Sequence, residues 1–255
     1  EGIAELLLRE ATSGAALDLS NHLVIVSSQF ASRLLTEKLA ELAGECGVFL
    51  PRITTPSRFL NWGDEQHSVA SDEHILLTWV KILTSIDRSD YASLFAGGQA
   101  GPFSYNSALD FARELIQLRD ELAGSREGLN FAEMAQKAVG LNAEPDRWSD
   151  LSKLEDLYDA ELKSAGKTDH NTLRRELALG NGHPEGIKVI WLAGVLAPQP
   201  LLLRALEGIR QREQAAVKVV VGGRSTELFD EWGQPLADVW KNRRSPWDGF
   251  SECVH

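Results

Sequence analysis

Phosphate chemistry is the first possibility that the residue spacing raises. A phosphate-binding loop needs Gly-x-x-x-x-Gly-Lys-Ser/Thr between a strand and a helix, because its glycines let backbone N–H groups surround a phosphate and its lysine adds charge. The sequence has one Gly-Lys-Thr, at Gly166-Lys167-Thr168, but Glu161 stands where the first glycine belongs. The run follows a helical pattern, so we interpret Gly166 as a helix C-cap and Lys167 as a solvated side chain.

Nucleotide hydrolysis also needs a carboxylate at the end of a second strand. The run Ile187–Gly194 has the hydrophobic form of a Walker B strand, in which that carboxylate holds Mg²⁺ and orients water. Ala193-Gly194 occupy the end of the run. With neither this carboxylate nor a P-loop lysine, ATP hydrolysis lacks both of its electrostatic supports, so we predict no ATP, no metal and no catalytic residue in this segment.

Other catalytic patterns receive less support. Asp146 followed by Glu161-Leu162-Lys163 matches the letters of a PD-(D/E)XK nuclease motif. In a helical stretch, however, residues two apart point in different directions, and an ordinary charged helix surface is the better interpretation. No Gly-x-Ser-x-Gly elbow is present, and the six histidines are dispersed.

Tryptophans and cysteines give weaker signals. Trp79 and Trp191 lie within apolar patterns and are expected in the core, whereas three others are candidates either for packing or for stacking on bases: Trp232, Trp240 and Trp247. Cys46 and Cys253 form no Cys-x-x-Cys pair, which favours a reducing, cytoplasmic setting.

Strands and helices alternate at both ends of the sequence, while its middle reads as helical. The predicted strands are His22–Ser27, Val48–Ile53 with Pro51 inside it, Ile187–Gly194 and Ala216–Val221. The predicted helices include Phe30–Ala43, Glu73–Ile86, Tyr105–Leu122, Phe131–Val139, Ser149–Ser164 and Pro200–Glu213. Nearly continuous apolar strands that alternate with helices indicate a parallel sheet covered on both faces. The sequence therefore predicts an α/β fold with a sheet domain from residues 1–60 and 181–255 and a largely helical inserted subdomain, 61–180.

Charge is distributed unevenly along the 255 residues. The 37 acidic and 26 basic residues give a formal charge of −11, and segments 1–60, 61–180 and 181–255 carry −2, −9 and 0. Non-specific nucleic-acid affinity depends on Lys and Arg, so the acidic insertion is a poor DNA surface and a better match for a basic protein partner. The strand ends of the sheet domain remain candidates for DNA contact. No apolar run approaches the roughly 20 residues that span a bilayer, so we predict no membrane association.

Five segments, in order, resemble the amino-terminal region of AddB-type proteins, the helicase-like and nuclease-containing partners in bacterial double-strand-break resection. These segments are Val24–Arg33, Leu50–Pro56, Asp150–Asp169, Val189–Leu206 and Phe229–Pro235 followed by Trp240. Each motif is weak alone, and their order and spacing carry the resemblance. The first resembles the strand, polar turn and helical arginine that follow the P-loop in UvrD-like helicases.

The resemblance implies a RecA-like (P-loop NTPase-like) sheet with a helical insertion. It further implies a longer protein, with a PD-(D/E)XK exonuclease domain beyond His255 that would require Mg²⁺. The expected role is DNA repair: a catalytically inactive, helicase-like scaffold in DNA end processing that binds single-stranded DNA, DNA ends or an AddA-type helicase partner.

The resemblance also implies the DNA-contacting positions. Strand-end turns of helicases touch the single-strand backbone, which points to Ser27, Ser28, Gln29 and Arg33, and the next motif adds Arg52, Thr54 and Thr55. Hydroxyl, amide and guanidinium groups suit phosphate contact without sequence preference. The other interpretation is that Ser27, Thr54 and Thr55 only cap helices.

A different class of function remains open from the residues alone. Open parallel sheets bind ligands outside the carboxyl ends of their strands, and the Gly222-Gly223-Arg224 turn after the last strand is suited to an anion. The alternative is therefore a nucleotide-binding or small-ligand α/β enzyme.

Overall fold

The protein is an α/β structure with two compact units. The computed structural model describes residues 2–11, 16–62, 68–95, 100–180, 184–222 and 226–241. The sheet unit comprises Glu1–Pro56, Gly186–Pro198 and Ala215–His255, and the helical unit comprises Ser57–Glu185 and Gln199–Gln214.

In the described part of the chain the sheet unit contains six strands, all paired in parallel. They are β1 (Leu17–Asp18), β2 (His22–Val26), β3 (Val48–Phe49), β4 (Arg52–Thr54), β5 (Val189–Ala193) and β6 (Ala216–Val220). Strands β4-β2-β5-β6 form one sheet in that order, and β1 pairs with β3 in a second, two-stranded sheet. Pro51 separates β3 from β4, because proline cannot donate to a ladder and therefore interrupts the run predicted as one strand.

Burial explains why β2 and β5 lie at the centre of the sheet. Every residue of β2 is buried, as are the last four of β5, which is typical of parallel strands covered on both faces. Helices α1 (Ile3–Glu10) and α2 (Gln29–Ala43) cover one face, where Leu7, Leu35 and Leu39 form a core with strand residues such as Val24 and Trp191. A short helix, α10 (Ala237–Lys241), follows later in the chain.

The tail segment that precedes α10 is ordered around one aspartate. Asp230 accepts hydrogen bonds from the backbone N–H groups of Trp232 (2.9 Å) and Gln234 (2.8 Å), and Phe229 bridges Pro235. Gly233 takes a positive φ of 77°, a conformation that glycine adopts without strain. The Phe-Asp-x-x-Gly letters of this segment therefore specify a tight turn, and Trp232 is buried rather than exposed.

In its described residues the helical unit contains seven α-helices. They are α3 (Pro56–Leu60, beginning at the unit boundary), α4 (Asp72–Leu83), α5 (Tyr105–Gly124), α6 (Phe131–Leu141), α7 (Pro145–Ser164), α8 (His170–Leu179) and α9 (Pro200–Gln211). Of these, α4, α5, α6 and α7 contribute to one hydrophobic core. Trp79 stacks on Tyr158 with ring centres 4.5 Å apart, and both rings are fully buried. Side-chain caps begin four of these helices: Ser71 on α4, Ser104 on α5, Asn130 on α6 and Asp169 on α8.

A buried ion network joins three of these helices. Arg119 on α5 donates to Glu155 on α7 (Nε to Oε1, 2.8 Å) and to Asp169, the N-cap of α8 (Nη1 to Oδ2, 2.8 Å). Tyr158 also donates to Asp169. Burial opposes the charge of Arg119, but the carboxylates of Asp169 and Glu155 outweigh it and raise the pKa of Arg119. Burial raises the pKa of Tyr158.

Most predicted elements are confirmed, and α9 differs in its packing. The strands β2, β5 and β6 and the helix α2 lie where periodicity places them. The sequence predicts a helix over Pro200–Glu213 and assigns it to the sheet domain. The corresponding helix of the structure, α9, belongs to the helical unit, where it packs against α8 and α5. Of the helices in the described ranges, none combines the length and apolar character needed to cross a membrane.

Candidate functional site

The polar residues predicted to contact DNA begin where β2 ends. Ser27, Ser28 and Gln29 follow the strand directly, and all three are exposed. The Ser28 hydroxyl accepts the Ala31 backbone N–H (3.2 Å) and caps α2. Ser28 therefore has a structural role, whereas neither Ser27 nor Gln29 is the cap of this helix.

Arg33 lies on the same face of α2 as Gln29. The two residues are four apart, and residues at that spacing are neighbours on a helix surface. Both are exposed, so an amide and a guanidinium stand together beyond the carboxyl end of β2. This pair, with Ser27, forms the polar part of the site.

Phe30 is a residue of this surface that sequence reasoning missed. It lies in the first turn of α2 beside Gln29, and its side chain is 71% exposed, while Leu34, one turn further on, is 49% exposed. An exposed aromatic ring beside polar and cationic side chains is an arrangement that single-strand-binding proteins use to stack on bases.

Of the three positions predicted in the second motif, Arg52, Thr54 and Thr55, the structure brings two to the same sheet end. Thr54 is paired with Ile25 of β2, so Thr54 and Thr55 lie near the carboxyl end of β2, both partly buried. The Thr54 hydroxyl donates to the Thr55 carbonyl at a long 3.5 Å. Arg52 is paired with Leu23, so its backbone lies four residues, about 13 Å, before the level of Ser27 along the strands.

A cavity of about 480 Å³ opens beyond the ends of β2, β5 and β6. The strand ends, the first half of α2 and the start of α1 line it. The lining residues are Val26, Ser27, Ala193, Gly194 and Val220–Gly222 at the strand ends, Ala31, Leu34, Leu35 and Lys38 of α2, and Ile3 and Ala4 of α1 with the preceding Gly2. Most of these groups are apolar, and the one charged side chain, Lys38, pairs with Glu41 (3.0 Å). This is the position at which open parallel sheets bind ligands.

Glycine and alanine stand in this cavity where a Walker B strand would carry its carboxylate. Ala193 ends β5, and Gly194 follows with φ of +64° and no atom within 4 Å of the place where a Cβ would lie. Gly222 of the predicted anion-binding turn lines the same cavity, whereas Gly223 and Arg224 lie outside the described residues. The cavity therefore offers space and apolar contact more than charge.

The helical unit has a more polar cavity of about 750 Å³ between α4, α5 and α8. On its wall, Asp120 accepts a hydrogen bond from Asn171 (2.7 Å) and lies 3.4 Å from the ring nitrogen Nε2 of His170. Burial raises the pKa of Asp120, but the bonds from His170 and Asn171 outweigh it, so the net pKa is lowered. The lining of this cavity includes no serine or cysteine that these side chains could activate.

The other sequence motifs fall in structural positions. Gly166 has φ of +64° and ends α7, while Lys167 donates to Ser68 (3.0 Å). Glu161, on α7, pairs with Lys81. His22 is buried in β2 and accepts the Trp191 indole N–H (3.0 Å), and burial lowers its pKa.

Two further candidates of the sequence analysis concern stacking and metals. Trp79, Trp191 and Trp232 are buried; the helix α10 contains Trp240, and both Trp247 and Cys253 lie outside the described residues. Within the described ranges, no group of three or more His, Cys, Asp or Glu side chains is arranged to hold a metal ion.

The chain matches no protein-family model, and no curated protein matches it.

Proposed function

We propose that this chain is the amino-terminal, catalytically inactive helicase-like domain of an AddB-type DNA repair exonuclease, with a RecA-like sheet. Its role is DNA end processing, as a scaffold that contacts single-stranded DNA or a helicase partner of the AddA type. The observation that carries the proposal is the group of exposed Ser27, Gln29, Phe30 and Arg33 side chains immediately beyond the carboxyl end of β2.

The chemistry of this group suits a single strand of any sequence. Hydroxyl, amide and guanidinium groups donate to phosphate oxygens, and these contacts carry no sequence information. A phenylalanine face stacks on any base, because every base has a π-surface. Together they match a backbone-tracking contact, and they require no nucleotide hydrolysis.

The acidic helical segment supports a division of roles. Residues 61–180 carry a formal charge of −9, which repels a polyanion and attracts a basic surface. We therefore assign DNA contact to the sheet unit and any helicase-partner contact to the helical unit.

Fluorescence anisotropy with a labelled single-stranded oligonucleotide tests the DNA contact. We expect binding at low salt that weakens as salt increases, and we expect the variant with Arg33→Ala and Arg52→Ala to lose affinity and about 1.4 units of the log–log salt slope if each arginine neutralises one phosphate. Arg33→Ala alone is expected to account for at least half of the loss, because Arg52 lies further from the strand end.

Arg147→Ala is the matched control, because Arg147 is an exposed arginine of the acidic helical segment. It should leave the affinity unchanged. No binding by the native chain at low salt, or equal binding by the double variant, would remove the DNA-contact role and leave only the partner scaffold.

The 480 Å³ cavity favours a second candidate, a nucleotide-binding or small-ligand α/β enzyme. The cavity is large enough for a small ligand and lies at the sheet end where such folds bind them. A thermal-shift panel of nucleotides and dinucleotides tests this candidate, with Ala31→Phe as the variant that fills the cavity. A shift in the native chain that disappears in Ala31→Phe supports it, and no shift refutes it for these ligands.

A further inference from the structure

The two edges of the four-stranded sheet are built differently. The β4 edge has the features that natural sheets use to prevent further pairing: it is three residues long, follows Pro51 and carries the exposed Arg52. The β6 edge has five residues, Ala-Val-Lys-Val-Val, without proline. Only β4 therefore resembles a terminated edge.

The single charge of β6 does not protect its edge. Lys218 pairs with Glu10 of α1 (2.6 Å), and its ammonium lies 5.0 Å from the centre of the Trp191 ring on the neighbouring strand. Its side chain is thus held over the face of the sheet that α1 covers. An edge lysine prevents pairing when its charge would be buried without a partner, and here Glu10 already supplies the partner.

The other face of β6 is also occupied. A Cβ on Gly233 would lie 2.5 Å from Val221 Cγ1 and 3.1 Å from Val219 Cγ1. These two valines are two residues apart and point to the same face, so the tail segment packs closely against that face. Packing on both faces is typical of strands inside a parallel sheet, but in β6 Ala216 is exposed and the other four residues are only partly buried, as expected of a strand with one uncovered edge.

The unpaired main-chain groups of β6 can be identified from its ladder with β5. Ala216 N–H donates to the Lys188 carbonyl (2.9 Å), and the Val220 carbonyl accepts from Gly194 N–H (2.9 Å). In a parallel ladder every second residue directs both its N–H and its C=O to the same neighbouring strand. The residues of β6 that bond to β5 are therefore Ala216, Lys218 and Val220. Val217 and Val219 therefore direct their N–H and C=O groups to the open edge, where β6 has no neighbouring strand among the described residues.

We propose that the β6 edge binds one extended strand of another polypeptide, with uncharged, β-branched side chains. The four main-chain groups of Val217 and Val219 require alternating donors and acceptors, which only an extended backbone provides. The valines at the edge favour β-branched neighbours, and the neutralised Lys218 leaves no charge to match. The proposal is independent of DNA contact, so either can fail without the other.

Strand addition is tested with two labelled peptides of sequence Lys-Thr-Val-Thr-Val-Thr-Val-Lys, one unmodified and one N-methylated at alternate residues. Fluorescence anisotropy on the full 255-residue chain should show binding of the unmodified peptide, and at least tenfold weaker binding of the N-methylated one. Val219→Pro removes one outward N–H without touching the ladder to β5, and should weaken binding at least tenfold. Val219→Thr keeps both the N–H and the branched shape and should bind like the native chain.

Hydrogen exchange in the native chain keeps the test independent of how well Val219→Pro folds. The amides of Val217 and Val219 should exchange at least tenfold more slowly when the unmodified peptide is present. Equal binding of both peptides, or exchange that does not change, overturns the proposal. A dimer in sedimentation that Val219→Pro dissolves also overturns it, because the edge would then serve a second copy of this chain.

Discussion

Removal of the buried Arg119 charge gives the sharpest expectation for stability. The side chains of Arg119, Glu155 and Asp169 are 8%, 6% and 2% exposed. Arg119→Met keeps an unbranched side chain of similar length but leaves two carboxylates buried without their cation. Removing one partner of a buried ion pair lowers the free energy of unfolding by about 3–5 kcal/mol. Replacing all the charged partners by uncharged residues of similar size costs far less.

The two carboxylates also accept hydrogen bonds from backbone N–H groups, so the loss of stability extends beyond Arg119 itself. Glu155 accepts the Phe131 N–H (2.8 Å) at the start of α6, and Asp169 accepts the Asn171 N–H (2.6 Å) as the cap of α8. Movement of either carboxylate toward solvent would release these bonds. We therefore expect the helical unit to lose stability as a whole, without local fraying of α5.

The pH dependence follows from the direction of the pKa of Asp169. In the native chain burial raises this pKa, but the Arg119 charge outweighs it and the net pKa is lowered. The resulting stability is present above the unfolded pKa of about 3.9 and is lost as pH falls through the lower folded value. In Arg119→Met burial acts without the cation and raises the pKa of Asp169 above its unfolded value. The variant's deficit is therefore largest near pH 7, begins to shrink as pH falls through this raised pKa, and is already smaller at pH 4.

Urea unfolding followed by circular dichroism at pH 7 and pH 4 measures both effects. Arg113→Met is the matched control, because Arg113 lies on the same helix with its side chain 61% exposed, and it should change stability by no more than about 0.5 kcal/mol. Arg119→Met combined with Glu155→Gln and Asp169→Asn should recover most of the loss. A deficit under about 1 kcal/mol at pH 7, or one equally large at pH 4, would refute the electrostatic reasoning.

Three smaller changes test the sheet unit. Ser28→Ala removes the α2 cap and should lower the free energy of unfolding by about 1 kcal/mol in urea, and an unchanged midpoint would contradict the capping role. Phe30→Ala should leave that free energy within about 0.5 kcal/mol, because the ring is exposed, but should weaken single-stranded DNA binding by about 1–3 kcal/mol in anisotropy titrations. Equal DNA affinity would exclude stacking. Gly233→Ala should destabilise by about 1–3 kcal/mol in thermal unfolding, since its Cβ would meet Val221 at a positive φ, and a native melting temperature would contradict the close packing of the tail.

The strands of the main sheet could be predicted because their signal is local. Val24-Ile25-Val26 and Val189–Ala193 are short apolar runs that end at turn residues, and such runs are typical of buried parallel strands. Helix α2 is also predictable from its spacing, although Leu34 belongs to its apolar series and is half-exposed. Periodicity gives the direction of a side chain on its helix but does not reveal whether another element covers it.

The positions of the predicted DNA-contacting residues show the same limit. The sequence places Ser27 and Gln29 at a strand end, which follows from chain order alone. The register of β4 against β2 places the backbone of Arg52 about 13 Å before the level of Ser27 along the strands. This register depends on pairing between segments distant in the chain. Phe30 was missed because its importance comes from exposure, and exposure is a property of the packed chain.

The sequence by itself determined the α/β class, the helical middle with its charge of −9, and the glycine and alanine at the end of β5. These properties are written in residue type and local order. Only the tertiary structure decided that α9 packs with the helical unit, that Arg119 is buried between two carboxylates, and that the two sheet edges differ. Each of these depends on contacts between residues distant in the chain, and such contacts follow from the closing of the whole fold rather than from any local pattern.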